Sequence, residues 1–243
     1  MEKKEEPIEI ENTNYYPILI ALVVILITVV IFALYKRKKT SRRGILITGL
    51  CDSGKTVIFS QLVHNKYVET HTSIKENIGN YTVNNQTLKI IDIPGHERLR
   101  DKFFEEHKNS AKGIVFVIDS VTLQQDVRDA ADFLYNVLTD TTVTSICPKI
   151  LILCNKQDHT LAKGCNIIKS ILEKELNTLR FTKAHQLESV DSKSKKNSGL
   201  GDMDKDFEFS ELPFKVEFEE SYGCNKQKAS DLDDLKNWLA KIA

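Results

Sequence analysis

From Ile18 to Leu34 the chain reads ILIALVVILITVVIFAL, and only Thr28 interrupts the aliphatic run of seventeen residues. At ~1.5 Å per helical residue such a run reaches roughly 26 Å. That is close to the ~27 Å hydrocarbon core of an endoplasmic reticulum membrane. The pattern predicts one transmembrane helix over 18–35, with Tyr15, Tyr16 and Tyr35 at headgroup level. A cleaved signal peptide has a basic leader and a small-residue cleavage site. Here the leader is acidic and KRKK follows, so the anchor is read as uncleaved.

Beyond a basic stub over 36–43 the pattern changes to short apolar runs alternating with helical stretches. GILITGL (44–50) is a β-type run ending in a glycine turn, and TVIFSQLVHN (56–65) has helical spacing. YTVNNQTLKIIDIP (81–94) reads as two strands about Asn84-Asn85. GIVFVIDS (113–120) and KILILCNKQD (149–158) are continuous apolar runs, as strands covered on both faces require. Helices are expected over 124–140 and 165–180, and a last strand over 215–221. At the C-terminus Leu232, Leu235, Trp238, Leu239 and Ile242 form one helical stripe. Such alternation predicts an α/β domain with a mostly parallel sheet over 44–243. Residues 189–206 break the rhythm: polar, charged and bearing Gly and Ser, they have nothing to bury and read as a flexible surface insertion.

Charge adds orientation. Of 243 residues 34 are basic and 34 acidic, but residues 1–17 carry a net −3, residues 36–43 carry +6, and the remaining 200 carry −3. A domain of that sign is a poor binder of nucleic acid through phosphate neutralisation. The basic block on the C-terminal side places residues 44–243 in the cytosol and residues 1–17 in the lumen. Cys51, Cys147, Cys154, Cys165 and Cys224 are odd in number and scattered, as expected of reduced thiols in that compartment.

The chemistry lies at the turns. Gly49-Leu50-Cys51-Asp52-Ser53-Gly54-Lys55-Thr56 spells G-x-x-x-x-G-K-[ST] between a strand and a helix. The glycines turn backbone N–H groups toward a phosphate, Lys55 adds charge at the β/γ oxygens, and Thr56 offers a hydroxyl to Mg2+. Asn155-Lys156-Gln157-Asp158 ends a strand, where the Asp158 carboxylate can accept both N1–H and N2–H2 of guanine; adenine has no such donor pair. Asp92-Ile93-Pro94-Gly95 at another strand tip offers a carboxylate to Mg2+ through water and the Gly95 N–H to a γ-phosphate. Within THTSIKEN, Thr72 is the expected second hydroxyl on Mg2+, with Ser73 competing.

Together these motifs resemble the small GTPases across essentially all of 44–243. GLCDSGKT behind a membrane segment, HTSI, DIPGHERLR, FEFSELPFKVEF (207–218) and DLKNWLAKIA (234–243) resemble more specifically the beta-subunit family of the signal recognition particle receptor. The resemblance implies a P-loop small-GTPase fold preceded by one transmembrane helix, with GTP or GDP and Mg2+ as cofactors. It also implies an alpha receptor subunit as heterodimer partner, docked on the GTP-bound switch face. The chain would then be a single-pass protein of the endoplasmic reticulum membrane, receiving ribosomes that carry nascent secretory chains. Arf and Sar proteins share the core but use an N-terminal amphipathic helix, so an autonomous vesicle-trafficking switch is the alternative.

Two positions depart from the pattern. His96 stands where many small GTPases place the Gln that orients the attacking water; it either orients that water when a partner pushes it inward or faces solvent as a switch residue. In the second case hydrolysis is slow or partner-dependent. Arg98 and Arg100 are expected to face solvent or the partner, leaving no arginine finger in the chain itself. The last base-contacting loop aligns with Tyr222-Gly223-Cys224, preceded by Ser221, whose backbone N–H groups remain able to meet the guanine carbonyl. Cys51 reads as a tolerated small residue in the phosphate loop.

Overall fold

The computed structural model describes residues 16–40, 42–146, 148–190, 200–201, 204–223 and 230–243, in two compact units that divide at Arg42/Arg43. The expected lumenal tail lies outside the described residues, apart from the start of the first helix.

The apolar run forms α1 (Tyr16–Thr40), longer at both ends than the stretch marked by hydropathy. Pro17 sits in the first turn, where its missing N–H has no partner to lose. Thr28 donates its hydroxyl to the Ile25 carbonyl at 2.8 Å, so the run's one polar side chain is satisfied within the helix. The described side chains from Leu19 to Phe32 are exposed, and side chains beyond Phe32 are not described. Over the described residues, no helix is long and apolar enough to cross a membrane.

The second unit contains a six-stranded sheet in the order β2-β3-β1-β4-β5-β6. Its strands are β1 (Gly44–Thr48), β2 (Asn77–Val83), β3 (Gln86–Asp92), β4 (Ala111–Asp119), β5 (Lys149–Asn155) and β6 (Val216–Glu220). Only β2 runs antiparallel, to β3. The β2–β3 turn places Asn84 and Asn85 at φ 49° and 58°. Two left-handed residues in a two-residue hairpin loop match the twist of the flanking strands, which explains the asparagine pair.

Alternate side chains of the central strands enter two cores. On one face Ile45, Ile47, Val115, Val117, Leu151 and Leu153 meet α2 (Lys55–His64) and α7 (Asp233–Ile242). On the other, Leu46, Ile114, Phe116, Ile150 and Ile152 meet α4 (Leu123–Thr139) and α6 (Cys165–Val190). Each such aliphatic burial stabilises the fold by ~1.5–3 kcal/mol. Because the sheet is covered on both faces, its parallel strands read as unbroken apolar runs.

Three expectations change. Helices α3 (Glu97–His107) and α5 (Thr141–Ile146) appear where no periodicity marked them; α3 buries only Phe104, and α5 only Val143. Helix α6 continues ten residues beyond the expected Arg180. The segment expected to have nothing to bury instead places Leu200 at 3% exposure, beside buried Phe207, Phe209 and Phe214 in the core under α6. Buried Arg180 donates to the carbonyls of Leu200 and Lys205, and Asn177 donates to Asp206 at 2.9 Å. Residues 191–199 and 202–203 of the expected insertion lie outside the described residues.

Candidate nucleotide-binding site

The motif turns converge at the C-terminal ends of the parallel strands, where the crevices of open α/β sheets bind ligands. The β1–α2 loop holds Asp52 at φ 57° and Gly54 at φ 91°, and Gly54 caps α2 without a side chain. A Cβ at Gly54 would run into the Asn155 carboxamide, and one at Gly95 would lie 2.6 Å from the Cys51 nitrogen. The β3 tip and the β5 tip thus press on the phosphate loop from two sides. Asp52, Gly54, Lys55, Thr56, Thr72, Ser73 and Gly95 line one cleft. Ser53 is buried below it and donates to the Leu50 carbonyl at 3.0 Å.

Lys55 is buried, and its ammonium donates to the Leu50 carbonyl across the loop. Burial pushes its pKa down, against the pull of Asp92, Cys51 and Asp52. Asp92 is 1% exposed. Burial pushes its pKa up, although Asn77, Thr56 and Lys55 all favour its charged form. Its Oδ2 accepts from Thr56 Oγ1 and from Asn77 Nδ2, each at 2.9 Å, while Oδ1 is buried without a hydrogen-bond partner.

An orphaned carboxylate oxygen next to a Thr hydroxyl fits a hard divalent cation. Among the described residues no cluster of three His, Cys, Asp or Glu side chains forms. The Asp92 carboxylate and Thr56 hydroxyl suit Mg2+, which keeps waters and takes one or two protein ligands beside phosphate oxygens. The Thr56 hydroxyl also lies 3.3 Å from Ser73 Oγ; Thr72 is exposed and only lines the cleft.

At the base end, Asn155 is buried and donates to the Ser53 carbonyl at 2.8 Å while accepting from Ser221 Oγ at 3.3 Å. Lys156 adopts φ 67° and pairs with Asp119 Oδ2 at 2.6 Å. Asp119 Oδ1 accepts the Val121 and Thr122 amides at 2.9 and 3.3 Å. Burial raises the Asp119 pKa, but Lys156 and the two amides outweigh it and hold the carboxyl below its ordinary range. The Gln157 N–H donates to the Ser221 carbonyl, fastening the base loop to the end of β6. The Asp158 side chain is 11% exposed, with His159 Nε2 at 4.0 Å. Tyr222 bridges Asp231 through the backbone, and Gly223 packs beside Val57; Cys224 lies outside the described residues.

His96 is exposed and caps α3, its Nδ1 accepting the Arg98 N–H at 3.4 Å, and it does not line the cleft. Arg100, expected to face solvent or the partner, is turned away from solvent: its guanidinium stacks 4.5 Å from the Phe133 ring and its Nε is buried. Asp119, Asn77 and the Ser221 hydroxyl were not singled out by the motifs. A carboxylate closing the apolar β4 run was the one legible signal for Asp119; nothing local distinguished the other two.

The sequence model of the family described as "Signal recognition particle receptor beta subunit" matches residues 40–216. The chain belongs to this family. The human signal recognition particle receptor subunit beta is 45% identical over 232 residues, covering 93% of this chain and 86% of the human protein. The solved structure of the mammalian SRP receptor is 45% identical and superposes with a TM-score of 0.73 over 83% of this chain and 100% of that one. The SRb-GTP/SRX complex from Chaetomium thermophilum, 20% identical, shares the fold with a TM-score of 0.62 over 82% and 97%. Residues 43–243 accordingly have the α/β small-GTPase fold of the signal recognition particle receptor beta-subunit family.

Proposed function

We propose that the chain is the membrane-anchored, guanine-nucleotide-binding subunit of a signal recognition particle receptor at the endoplasmic reticulum. Its partner is an alpha subunit docked on the nucleotide-dependent face. The observation that carries the reading is the orphaned Asp92 Oδ1, buried beneath a glycine-bounded amide cradle and beside the Thr56 hydroxyl. In this reading the apolar stretch 18–34 of α1 spans the bilayer at ~26 Å, and the basic block keeps residues 43–243 in the cytosol.

Lys55 and the amides of Asp52, Ser53 and Gly54 bind the β- and γ-phosphates. Thr56, Asp92 and a hydroxyl from Ser73 or Thr72 would hold Mg2+. When bound, the ion neutralises phosphate charge. Asp158 accepts the two guanine donors, Asn155 and Lys156 hold the loop that presents it, and the Tyr222–Gly223 turn closes over the base. In this reading His96, which caps α3, faces solvent and does not orient the attacking water. Hydrolysis by the chain alone is therefore slow, and occupancy of the cleft, more than turnover, sets the docking face.

The test is recovery of the full chain from detergent-solubilised membranes, followed by mass spectrometry of the bound nucleotide and of co-purifying polypeptides. Guanine nucleotide and an alpha receptor subunit are expected. Material free of nucleotide, or without that partner, overturns the reading.

A further inference from the structure

The loop that carries Asn155, Lys156 and Asp158 is bounded by two cysteines, Cys154 near the end of β5 and Cys165 as the first residue of α6. Cys154 is fully buried and enters the core under α6 together with Ile150 and Ile152. Cys165 is half-buried and packs against that same core. Glu220 fixes both residues from the β6 side. It pairs with Cys154 across the β5–β6 ladder, and its carboxylate accepts the Cys165 N–H at 2.8 Å. The two thiols lie within hydrogen-bonding reach of each other, and both are free.

A bond between these sulfurs would act on the loop between them. Lys163 and Gly164 form the limb that leads into Cys165, and that limb grips the loop. Gln157 Nε2 donates to the Lys163 carbonyl at 2.8 Å and to Ser120 Oγ at 2.9 Å, and the Lys163 N–H donates to the Ser120 carbonyl at 3.0 Å. Cys154 is held in the sheet on both sides, opposite Ile118 of β4 and Glu220 of β6. The β5 end of the loop is therefore fixed, and the α6 end is the one that can lift. Tying the two ends together removes that freedom and holds the loop in the form that presents Asp158.

We propose that Cys154 and Cys165 are a peroxide-sensitive dithiol whose disulfide locks the guanine-reading loop and slows the release of bound nucleotide. The inference rests on the reading of the cleft as a guanine-nucleotide site. Cys165, the more accessible thiol, loses its proton and its sulfur attacks hydrogen peroxide. The O–O bond breaks, leaving Cys165 as the sulfenic acid, and the departing hydroxide takes up that proton as water. The Cys154 sulfur then attacks the Cys165 sulfur and the S–O bond breaks. The hydroxide released takes the Cys154 proton as a second water. The thiol pair loses two electrons to the peroxide, and a thiol reductant such as glutathione returns them. The hydrogen bond with Cys165, burial and the Glu220 charge push the Cys154 pKa up, which suits it to resolve the sulfenic acid and not to attack the peroxide.

The test uses the full chain in detergent, loaded with a fluorescent GDP and Mg2+, before and after submillimolar hydrogen peroxide. Nucleotide release is timed by fluorescence; remaining thiols are then alkylated and the peptides mapped by mass spectrometry without reduction. A Cys154–Cys165 linked peptide and a several-fold slower release are expected, both reversed by dithiothreitol. Cys165→Ser, a small change at a half-buried position, should bind the fluorescent GDP as the wild type does and lose both responses to peroxide. Bound nucleotide without a Cys154–Cys165 link overturns this proposal alone, and so does a link that leaves release unchanged. A slowing that persists in Cys165→Ser belongs to another thiol, such as exposed Cys51 in the phosphate loop, and overturns it as well. A chain that binds no guanine nucleotide overturns the functional reading and this proposal with it.

Discussion

Asn155 donates its carboxamide hydrogen to the main-chain carbonyl of Ser53, 2.8 Å away and 102 residues earlier in the chain. This bond ties the loop proposed to read the purine to the loop proposed to cradle phosphate. Removing the side chain leaves a buried carbonyl and the Ser221 hydroxyl unsatisfied, at ~1–3 kcal/mol for such a group. Asn155→Ala is expected to weaken GDP and GTP by roughly tenfold to a hundredfold, at ~1.4 kcal/mol per decade. Isothermal titration calorimetry with Mg2+ measures this directly, and unchanged affinity would break the coupling argument.

Purine choice should follow Asp158. An amide at this position presents a donor where guanine also presents one, while xanthine offers an acceptor there. Asp158→Asn is expected to lower GTP affinity by at least tenfold, ~1.4 kcal/mol or more, and to raise that of xanthosine triphosphate. Competition binding with the two nucleotides reads the exchange.

A pH effect is expected away from the cleft. Asp140 accepts the Thr142 and Val143 amides at 2.9 Å each at the start of α5 and pairs with Lys108 at 2.7 Å. Burial raises its pKa, but Lys108 and the two amides prevail and hold the carboxyl below its ordinary value. A depressed folded-state pKa contributes stability above the unfolded value, ~3.9, and loses it as pH falls through the folded one. Asp140→Ala should therefore cost ~0.5–2 kcal/mol at pH 7 through the lost cap. The difference from wild type should shrink below about pH 4. Urea midpoints of both proteins at pH 7 and at pH 3.5 test the sign.

The outward placement of His96 makes a further claim. Because its ring caps α3 and does not line the cleft, His96→Ala should leave GTP affinity and single-turnover hydrolysis by the isolated chain within about twofold, consistent with a surface change of under ~0.5 kcal/mol. A large drop in the hydrolysis rate would show that the ring swings inward without a partner.

Packing of α7 offers a stability test independent of nucleotide. Trp238 is 2% exposed and lies over Gly113, where an added Cβ would come within 2.9 Å of the indole. Trp238→Ala should cost ~3–5 kcal/mol. Gly113→Ala should destabilise through the opposite fault, overpacking, by ~1–3 kcal/mol. Denaturant midpoints of the nucleotide-bound protein compare the two.

The amino-acid order by itself determined whatever depends on neighbours along the chain. The apolar run, interrupted only by Thr28, defined α1 to within a few residues at each end, and the Asn84-Asn85 pair defined the hairpin because both positions need left-handed φ. The glycines and Lys55 of the phosphate loop were legible for the same reason: a turn, a charge and a helix start are local. Tertiary structure decided what depends on distance in space. It brought Ser73 to the Thr56 hydroxyl, Asn77 to Asp92, Asp119 to Lys156 and Ser221 to Asn155. It drew Leu200 into the core and stacked Arg100 on Phe133, neither of which hydropathy alone could place. A hydrogen bond or an apolar contact spanning tens of residues leaves no period in the sequence, because its geometry exists only once the sheet has set the register.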